Sequence, residues 1–104
     1  QAQLWYEAID AYRASLDTLK KMGPATLSEQ GDILNNLATV YANNGLWEES
    51  IRCYEEDLLL CRHLEDRHGE GQTLTNIGLI YAKHNHWEKA HEYFHMALPK
   101  FDPW

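Results

Sequence analysis

Apolar side chains recur at three- and four-residue steps along most of the chain, which is the spacing of one face of an α-helix. One series runs from Leu34 to Tyr41, and a second runs from Trp47 to Cys61. Strands would instead show alternation with a period of two, so the pattern predicts an all-α fold. The five predicted helices lie near residues 2–22, 25–43, 47–64, 67–84 and 87–99.

Turn-forming residues separate the predicted helices. A glycine and a proline at 23–24 end one helix and open the next, and the Asn-Asn-Gly run at 43–45 ends another. Asp66 is a predicted N-cap, although Glu65 before it stands where the earlier turn has glycine. Pro99 lacks a backbone donor. The fifth helix should therefore stop or kink near Pro99, with residues 101–104 irregular.

The helical pattern repeats along the chain. Trp5, Trp47 and Trp87 each open an amphipathic segment, at spacings of 42 and 40 residues. When residues 31–58 are laid over 71–98, the following pairs align: Leu34 with Leu74, Asn36 with Asn76, Tyr41 with Tyr81, Ala42 with Ala82 and Glu48 with Glu88. A repeat of this length predicts stacked helix pairs.

Two local motifs carry a family resemblance. The first-helix pattern Leu-Ala-x-x-Tyr at 37–41 returns as Ile-Gly-x-x-Tyr at 77–81. In the second helices a small residue is followed four positions later by an aromatic one: Ala8 and Tyr12, Ser50 and Tyr54, Ala90 and Phe94. Together these motifs resemble the tetratricopeptide repeat. The period exceeds the family's usual 34 residues. It looks like the longer repeats of kinesin light chains, G-protein signalling modulators and bacterial signalling arrays.

The resemblance implies a right-handed α-solenoid of antiparallel helix pairs within one domain, 1–104. Its units would be a partial repeat at 1–24, followed by 25–66 and 67–104, which is about two and a half repeats. Because the pattern begins within a repeat, we expect a piece of a longer array. The resemblance assigns four aromatic residues to packing between helices: Trp47, Tyr54, Trp87 and Phe94.

The resemblance also implies a protein-binding scaffold whose concave groove is lined by the first helix of each pair. Asn36 and Asn76 resemble an asparagine that holds the ligand main chain in the long-period families. The alternative for these polar positions is a solvated helix face. Other groove candidates are Asn35, Thr39, Asn43, Gln72, Thr75 and Lys83, together with Asp32 and Leu79.

Charge and cysteine content narrow the partner class. The 16 acidic and 9 basic residues give a net charge of -7, which would repel phosphate backbones and anionic lipid headgroups. We therefore expect a protein or peptide partner, without nucleic acid or membrane. Cys53 and Cys61 would lie about 12 Å apart on one helix, too far to bridge. Free thiols suit the cytoplasm. The second-helix acids, Asp57 among them, are predicted to be solvated charge on the convex side.

One motif points to different chemistry. His91-Glu92-Tyr93-Phe94-His95 has the H-E-x-x-H form of zinc peptidases. A catalytic zinc site needs a third protein ligand, and Asp102 is the only carboxylate downstream. The repeat explains the same segment by turning His91 and His95 outward. We predict no catalytic residue, no metal ligand and no cofactor, and keep zinc binding or a zinc peptidase as a remote alternative.

Self-association is the second alternative function. In a stacked array each repeat is covered by its neighbours, so the two end faces present apolar side chains. The aromatic or aliphatic residues at these faces are Trp5, Tyr6 and Ile9 at one end and Leu98, Phe101 and Trp104 at the other. These faces predict a homodimer or a helix-swapped oligomer.

Overall fold

The computed structural model describes residues 2–101 and contains five α-helices with no strand in that range. The predicted Trp104 contact and Asp102 lie outside the described residues. The helices are α1 (Ala2–Met22), α2 (Leu27–Asn43), α3 (Trp47–His63), α4 (Arg67–Lys83) and α5 (Trp87–Ala97), with 3-10 turns at Pro24–Thr26 and Leu98–Phe101. The prediction of an all-α fold is confirmed.

Three helices end in the same way. The backbone N–H groups of Leu46, Asp66 and His86 each donate to the carbonyl five residues earlier, at 2.8–2.9 Å. This bond closes a Schellman-type turn, whose preceding residue takes a left-handed conformation. Glu65 does so at φ 56° and Asn85 at φ 65°. Asp66 then caps α4, as predicted, because its Oδ1 accepts from the Gly69 amide at 2.9 Å.

Two predicted helix ends are wrong by two residues, and the predicted ends of the third and fourth helices are each one residue too long. The second helix begins as the 3-10 turn Pro24–Thr26 and becomes α-helical only at Leu27. The fifth α-helix ends at Ala97, two residues before Pro99, and the chain continues as the 3-10 turn Leu98–Phe101. Phe101 was predicted to be irregular and is instead helical. Pro99 lacks the donor that an α-helix needs there.

Neighbouring helices pack in chain order, and their apolar faces form two clusters. α2 packs on α3, α4 packs on α5, and α1 and α3 each contact the helix after them. The larger cluster joins α1, α2, α3 and Ile77 of α4, and the smaller one holds Leu58, Leu74 and Ala97. Short loops between consecutive helices make each pair antiparallel.

Small residues allow the close approach within each helix pair. Ser50 is fully buried, and its hydroxyl donates to the Ala38 carbonyl of α2 at 2.7 Å. In the next pair Gly78 lies under the Phe94 ring, so near that an added Cβ would come within 2.6 Å of it. The predicted packing role is confirmed for Tyr54, which is buried on α3.

Trp87 departs from its predicted packing role. Trp47 stacks on His84 at 4.7 Å between ring centroids and lies edge-on to Tyr81, so the α4 helix and its loop cover it. Trp87 holds the same position in the next pair, yet 64% of it is exposed. Within residues 2–101 only the 3-10 turn Leu98–Phe101 follows α5, and no further α-helix covers this ring. The assignment of Trp87 to packing is therefore wrong for this structure.

No helix among the described residues is long and apolar enough to span a bilayer.

Candidate functional site: the groove between α2 and α4

A polar groove with a volume of about 470 Å³ lies between the first helices of the two complete pairs. α2 and α4 form its walls, and the side chains of Asp57 and Cys61 on α3 form its floor. We call it the α2–α4 groove. Its wall residues are Ser28, Gly31, Asp32 and Asn35 on one side and Gly69, Gln72, Thr73, Thr75 and Asn76 on the other, with Asp66 and Phe101 also lining it.

Asp57 is the central residue of the floor and was predicted wrongly as solvated convex charge. Only 4% of it is exposed, because it lies on the buried face of α3 with Tyr54 and Cys61. Its Oδ2 accepts from Asn35 Nδ2 at 2.7 Å and from Thr73 Oγ1 at 3.0 Å, and the Thr73 hydroxyl hydrogen is shared with the Gly69 carbonyl, also at 3.0 Å. These two bonds tie α2, α3 and α4 together through one carboxylate.

Burial and hydrogen bonding change the pKa of the Asp57 carboxyl in opposite directions. Burial raises the pKa of the carboxyl above its usual range, while the hydrogen bonds from Asn35 and Thr73 lower it. The net pKa is raised. A cation that reached this carboxylate would favour the charged form and so bring the pKa back down.

Asn35, a predicted ligand-binding residue, has both of its amide hydrogens committed. Nδ2 donates to the Gly31 carbonyl at 3.0 Å as well as to Asp57. Only its carbonyl oxygen is left to accept from a ligand. Thr75 also lines the groove, but its hydroxyl donates to the Gly71 carbonyl at 2.9 Å. These two residues shape the wall more than they offer donors.

Gln72 and Asn76 are the free amides of the groove. Both line it, and neither side chain makes a hydrogen bond to another residue in the range 2–101. Gln72 is exposed and Asn76 is half-buried. They stand four residues apart, so they share one face of α4. The groove therefore presents two amide groups, each with donors and an acceptor available.

Five predicted candidates do not line the groove, among them Leu79, which is exposed on α4. Asn36 is exposed on α2 beside Asn35, and Asn43 is exposed at the carboxyl end of the same helix. Thr39 is exposed with its hydroxyl donating to the Asn35 carbonyl at 3.0 Å, and Lys83 is exposed at the end of α4. Their role in binding stays a prediction.

Sequence reasoning missed Asp57 and Thr73, although a signal for Asp57 was present. Asp57 follows Tyr54 by three residues and precedes Cys61 by four, which places it on the apolar stripe of α3. An acid on such a stripe indicates a buried partner. Thr73 carried no comparable signal, because a threonine within the first two turns of a helix is ordinary.

The Leu98–Phe101 turn reaches the groove through Phe101, which lines it. Its Pro99 carbonyl accepts from Arg67, and the Phe101 ring meets His68 edge-on at 5.3 Å between centroids. Lys100 Nζ lies 3.3 Å from Glu70 Oε2, which also accepts from Arg62 Nε at 2.9 Å. The turn is thus held to the first half of α4 by charge and by ring contact.

The described residues are poorly arranged for metal binding and for thiol chemistry. His91 and His95 are exposed and stacked at 5.7 Å between ring centroids. Within residues 2–101 no group of three or more His, Cys, Asp or Glu side chains is placed to hold a metal ion. Cys53 and Cys61 are free and buried, and burial raises the pKa of each thiol to about 11. At neutral pH such thiols stay protonated and unreactive.

The comparisons with known proteins agree with the helix pairs. No curated protein and no solved structure matched the chain. The family model described as the tetratricopeptide repeat matches residues 29–101, more than half of the sequence, from the first turn of α2 to the Leu98–Phe101 turn. The likeness to the long-period members stays a prediction. The predicted family is confirmed, and the chain belongs to the tetratricopeptide repeat family.

Proposed function

We propose that the protein is an interaction scaffold that binds an extended peptide, or an extended segment of a partner protein, in the α2–α4 groove. Tetratricopeptide repeats generally mediate protein–protein interactions. The observation that carries the proposal is the pair of unpaired amides, Gln72 and Asn76, on one wall of a groove that crosses two repeats.

An extended peptide has backbone N–H and C=O groups without partners, and a side-chain amide satisfies one of each. Asn76 therefore holds the ligand main chain in this proposal, and Gln72 supports it one turn away. Asn36 extends the same contact beyond the groove on α2. We propose the cytoplasm as the compartment, because the two cysteines are free.

The test is selection of a random-peptide phage library on the immobilised protein, followed by fluorescence polarisation with the selected peptides. We expect Asn76→Ala together with Gln72→Ala to weaken binding by about tenfold or more, since each lost hydrogen bond costs about 1 kcal/mol. Asn44→Ala is the matched control, because it removes an exposed amide outside the groove. Equal binding by the double variant and the control would refute the groove assignment.

Self-association is a second proposal, favoured by the exposed end face of α5. Trp87 and Leu98 are both more than three-fifths exposed. Exposed apolar patches of this kind mark association sites. Light scattering at high micromolar concentration should show dimers, and Trp87→Ala with Leu98→Ala should return monomers. A native protein that is only monomeric at that concentration would refute this proposal.

A further inference from the structure

The carboxylates of the α2–α4 groove come from three different elements. Asp32 lies on α2, Asp57 on α3, and Asp66 at the start of α4, while no lysine or arginine of residues 2–101 lines the groove. The basic residues next in sequence to the lining residues Asp66 and Phe101 have partners elsewhere: Arg67 donates to the Pro99 carbonyl, and Lys100 pairs with Glu70. The groove therefore carries negative charge that nothing in the described fold neutralises.

Asp57 offers an acceptor that the fold leaves unused. Its Oδ2 takes the hydrogen bonds from Asn35 and Thr73, whereas no described residue donates to Oδ1. No buried side-chain oxygen in the described part of the chain lacks a partner. Oδ1 thus remains in contact with the open groove. It lies over Gly31, where an added Cβ would come within 2.7 Å of it.

We propose that the α2–α4 groove selects a peptide that carries one lysine or arginine, whose charged end reaches Asp57 between Asp32 and Asp66. This inference rests on the proposed function and names the chemistry of its ligand. Asn35 and Thr73 hold the carboxylate in one orientation, so Oδ1 is preorganised as the acceptor. Gln72 and Asn76 hold the peptide backbone above it.

The same geometry rejects other side chains. An acidic side chain at this place would face three carboxylates of like charge. An apolar side chain would cover Asp57 without offering a donor, and a buried carboxylate left without a partner for Oδ1 is costly. The amino-terminal turn of α4 contributes some positive potential, but Asp66 Oδ1 already accepts the Gly69 amide there. Specificity for a cation follows from both attraction and exclusion.

The experiment uses the phage-selected peptides and the whole protein. We expect the selected sequences to share one lysine or arginine position. Replacement of that arginine by citrulline, or of that lysine by norleucine, should weaken binding by about tenfold or more, since a charged hydrogen bond contributes about 1.5–3 kcal/mol. Asp57→Asn should weaken binding of the selected cationic peptide by a similar factor. It should leave binding of the citrulline or norleucine peptide unchanged. Raised salt should weaken only the charged peptide.

The controls separate this inference from the proposed function. Asp10→Asn removes one exposed charge from α1, outside the groove, and should bind like the native protein. The peptide substitutions need no protein variant, so the test stands even if Asp57→Asn disturbs the fold. Peptides that depend on Gln72 and Asn76 but share no cationic position would overturn the inference alone. Failure to select any groove-dependent peptide would overturn the proposed function and the inference with it.

Discussion

The α2–α3 pair and the α4–α5 pair use one register to build different surroundings. Gly31 and Gly71 occupy the same position, and Asp57 corresponds to Ala97. Over Gly31 lies a carboxylate oxygen. Over Gly71 lie the Phe101 ring and the Lys100 side chain, each within 3.0 Å of where a Cβ would stand. The glycine opens the space in both pairs, and the residues opposite decide whether it becomes a polar floor or an apolar plug.

Proline accounts for much of this difference. Pro99 stands where the first pair has Leu59, and there α3 continues as an α-helix to His63. In the second pair the chain tightens into the Leu98–Phe101 turn instead. A 3-10 turn rotates successive side chains by a different angle from an α-helix. Lys100 and Phe101 are thereby brought onto α4.

The largest effect is expected when an acid is placed in the second pair at the position that corresponds to Asp57. In Ala97→Asp the carboxylate would be buried, no residue in the range 2–101 takes the place of Thr73, and Thr75, in the place of Asn35, already donates to Gly71. We expect the free energy of unfolding to fall by about 3 kcal/mol or more. Urea denaturation followed by circular dichroism measures this. His95→Asp adds the same charge on the exposed face, and an equal loss there would contradict the burial argument.

The second-largest change in unfolding free energy is expected from replacing Trp47, with Trp87 as its comparison. Trp47→Ala removes the ring that stacks on His84 and contacts Tyr81, so we expect a loss of about 2–3 kcal/mol in unfolding free energy. Trp87→Ala changes the same residue type at the same register, but on an exposed ring. Its effect should stay within about 0.5 kcal/mol. Similar losses from both variants, measured by urea denaturation, would show that Trp87 is covered in solution.

The sequence was sufficient for the helix pairs and insufficient for the groove floor. The Leu34 to Tyr41 spacing and the 43–45 turn predict α2 because helix periodicity and turn chemistry are local properties. Burial of Asp57 is not local, since it depends on donors 22 residues before and 16 residues after it. A rule that assigns acids of the second helix to the convex face cannot detect such donors.

Of the five candidates predicted on each helix, three on α4 line the groove, and two on α2, Asp32 and Asn35, do so. Gln72, Thr75 and Asn76 line the groove, whereas Asn36 on α2 does not. The sequence aligns Asn36 with Asn76, but the two pairs are not equivalent in space. The groove has α4 as its second wall, and within residues 2–101 no further α-helix follows the Leu98–Phe101 turn to give Asn76 the same neighbour on its other side.

Gly78→Ala should show how closely the aromatic ring approaches α4. The new Cβ would lie 2.6 Å from Phe94 Cε1, and we expect overpacking of about 1–3 kcal/mol to outweigh a gain of about 1 kcal/mol in helix propensity. Ala38 holds this register in the first pair and already carries its Cβ. Ala38→Gly should therefore also destabilise, through propensity and lost packing. A thermal melt that rises for Gly78→Ala would refute the close approach.

A modest effect is expected at Glu70, which corresponds to Gln30 in the first pair. Gln30 Nε2 donates to Thr26 at 3.1 Å, whereas Glu70 pairs with Arg62 and Lys100. Glu70→Gln makes the second pair resemble the first and removes both ion pairs. We expect a loss of about 1 kcal/mol in unfolding free energy at neutral pH, because the two basic partners are partly exposed.

The pH dependence separates Glu70 from Asp57. Burial raises the pKa of Glu70, but the hydrogen bonds from Arg62 and Lys100 lower it by more than burial raises it. The folded pKa therefore lies below the usual value. Its stabilisation is therefore present above a pH of about 4.3 and is lost as the pH falls through the folded pKa. For Asp57 the raised pKa reverses the sign, so its contribution to stability is present below a pH of about 3.9 and is lost as the pH rises.

On acidification the stability of Glu70→Gln should approach that of the native protein, while Asp57→Asn should gain stability relative to the native protein as the pH rises. Urea titrations across this pH range measure the stability of each variant relative to the native protein. The opposite signs would be contradicted if both variants gained relative stability with the same direction of pH change.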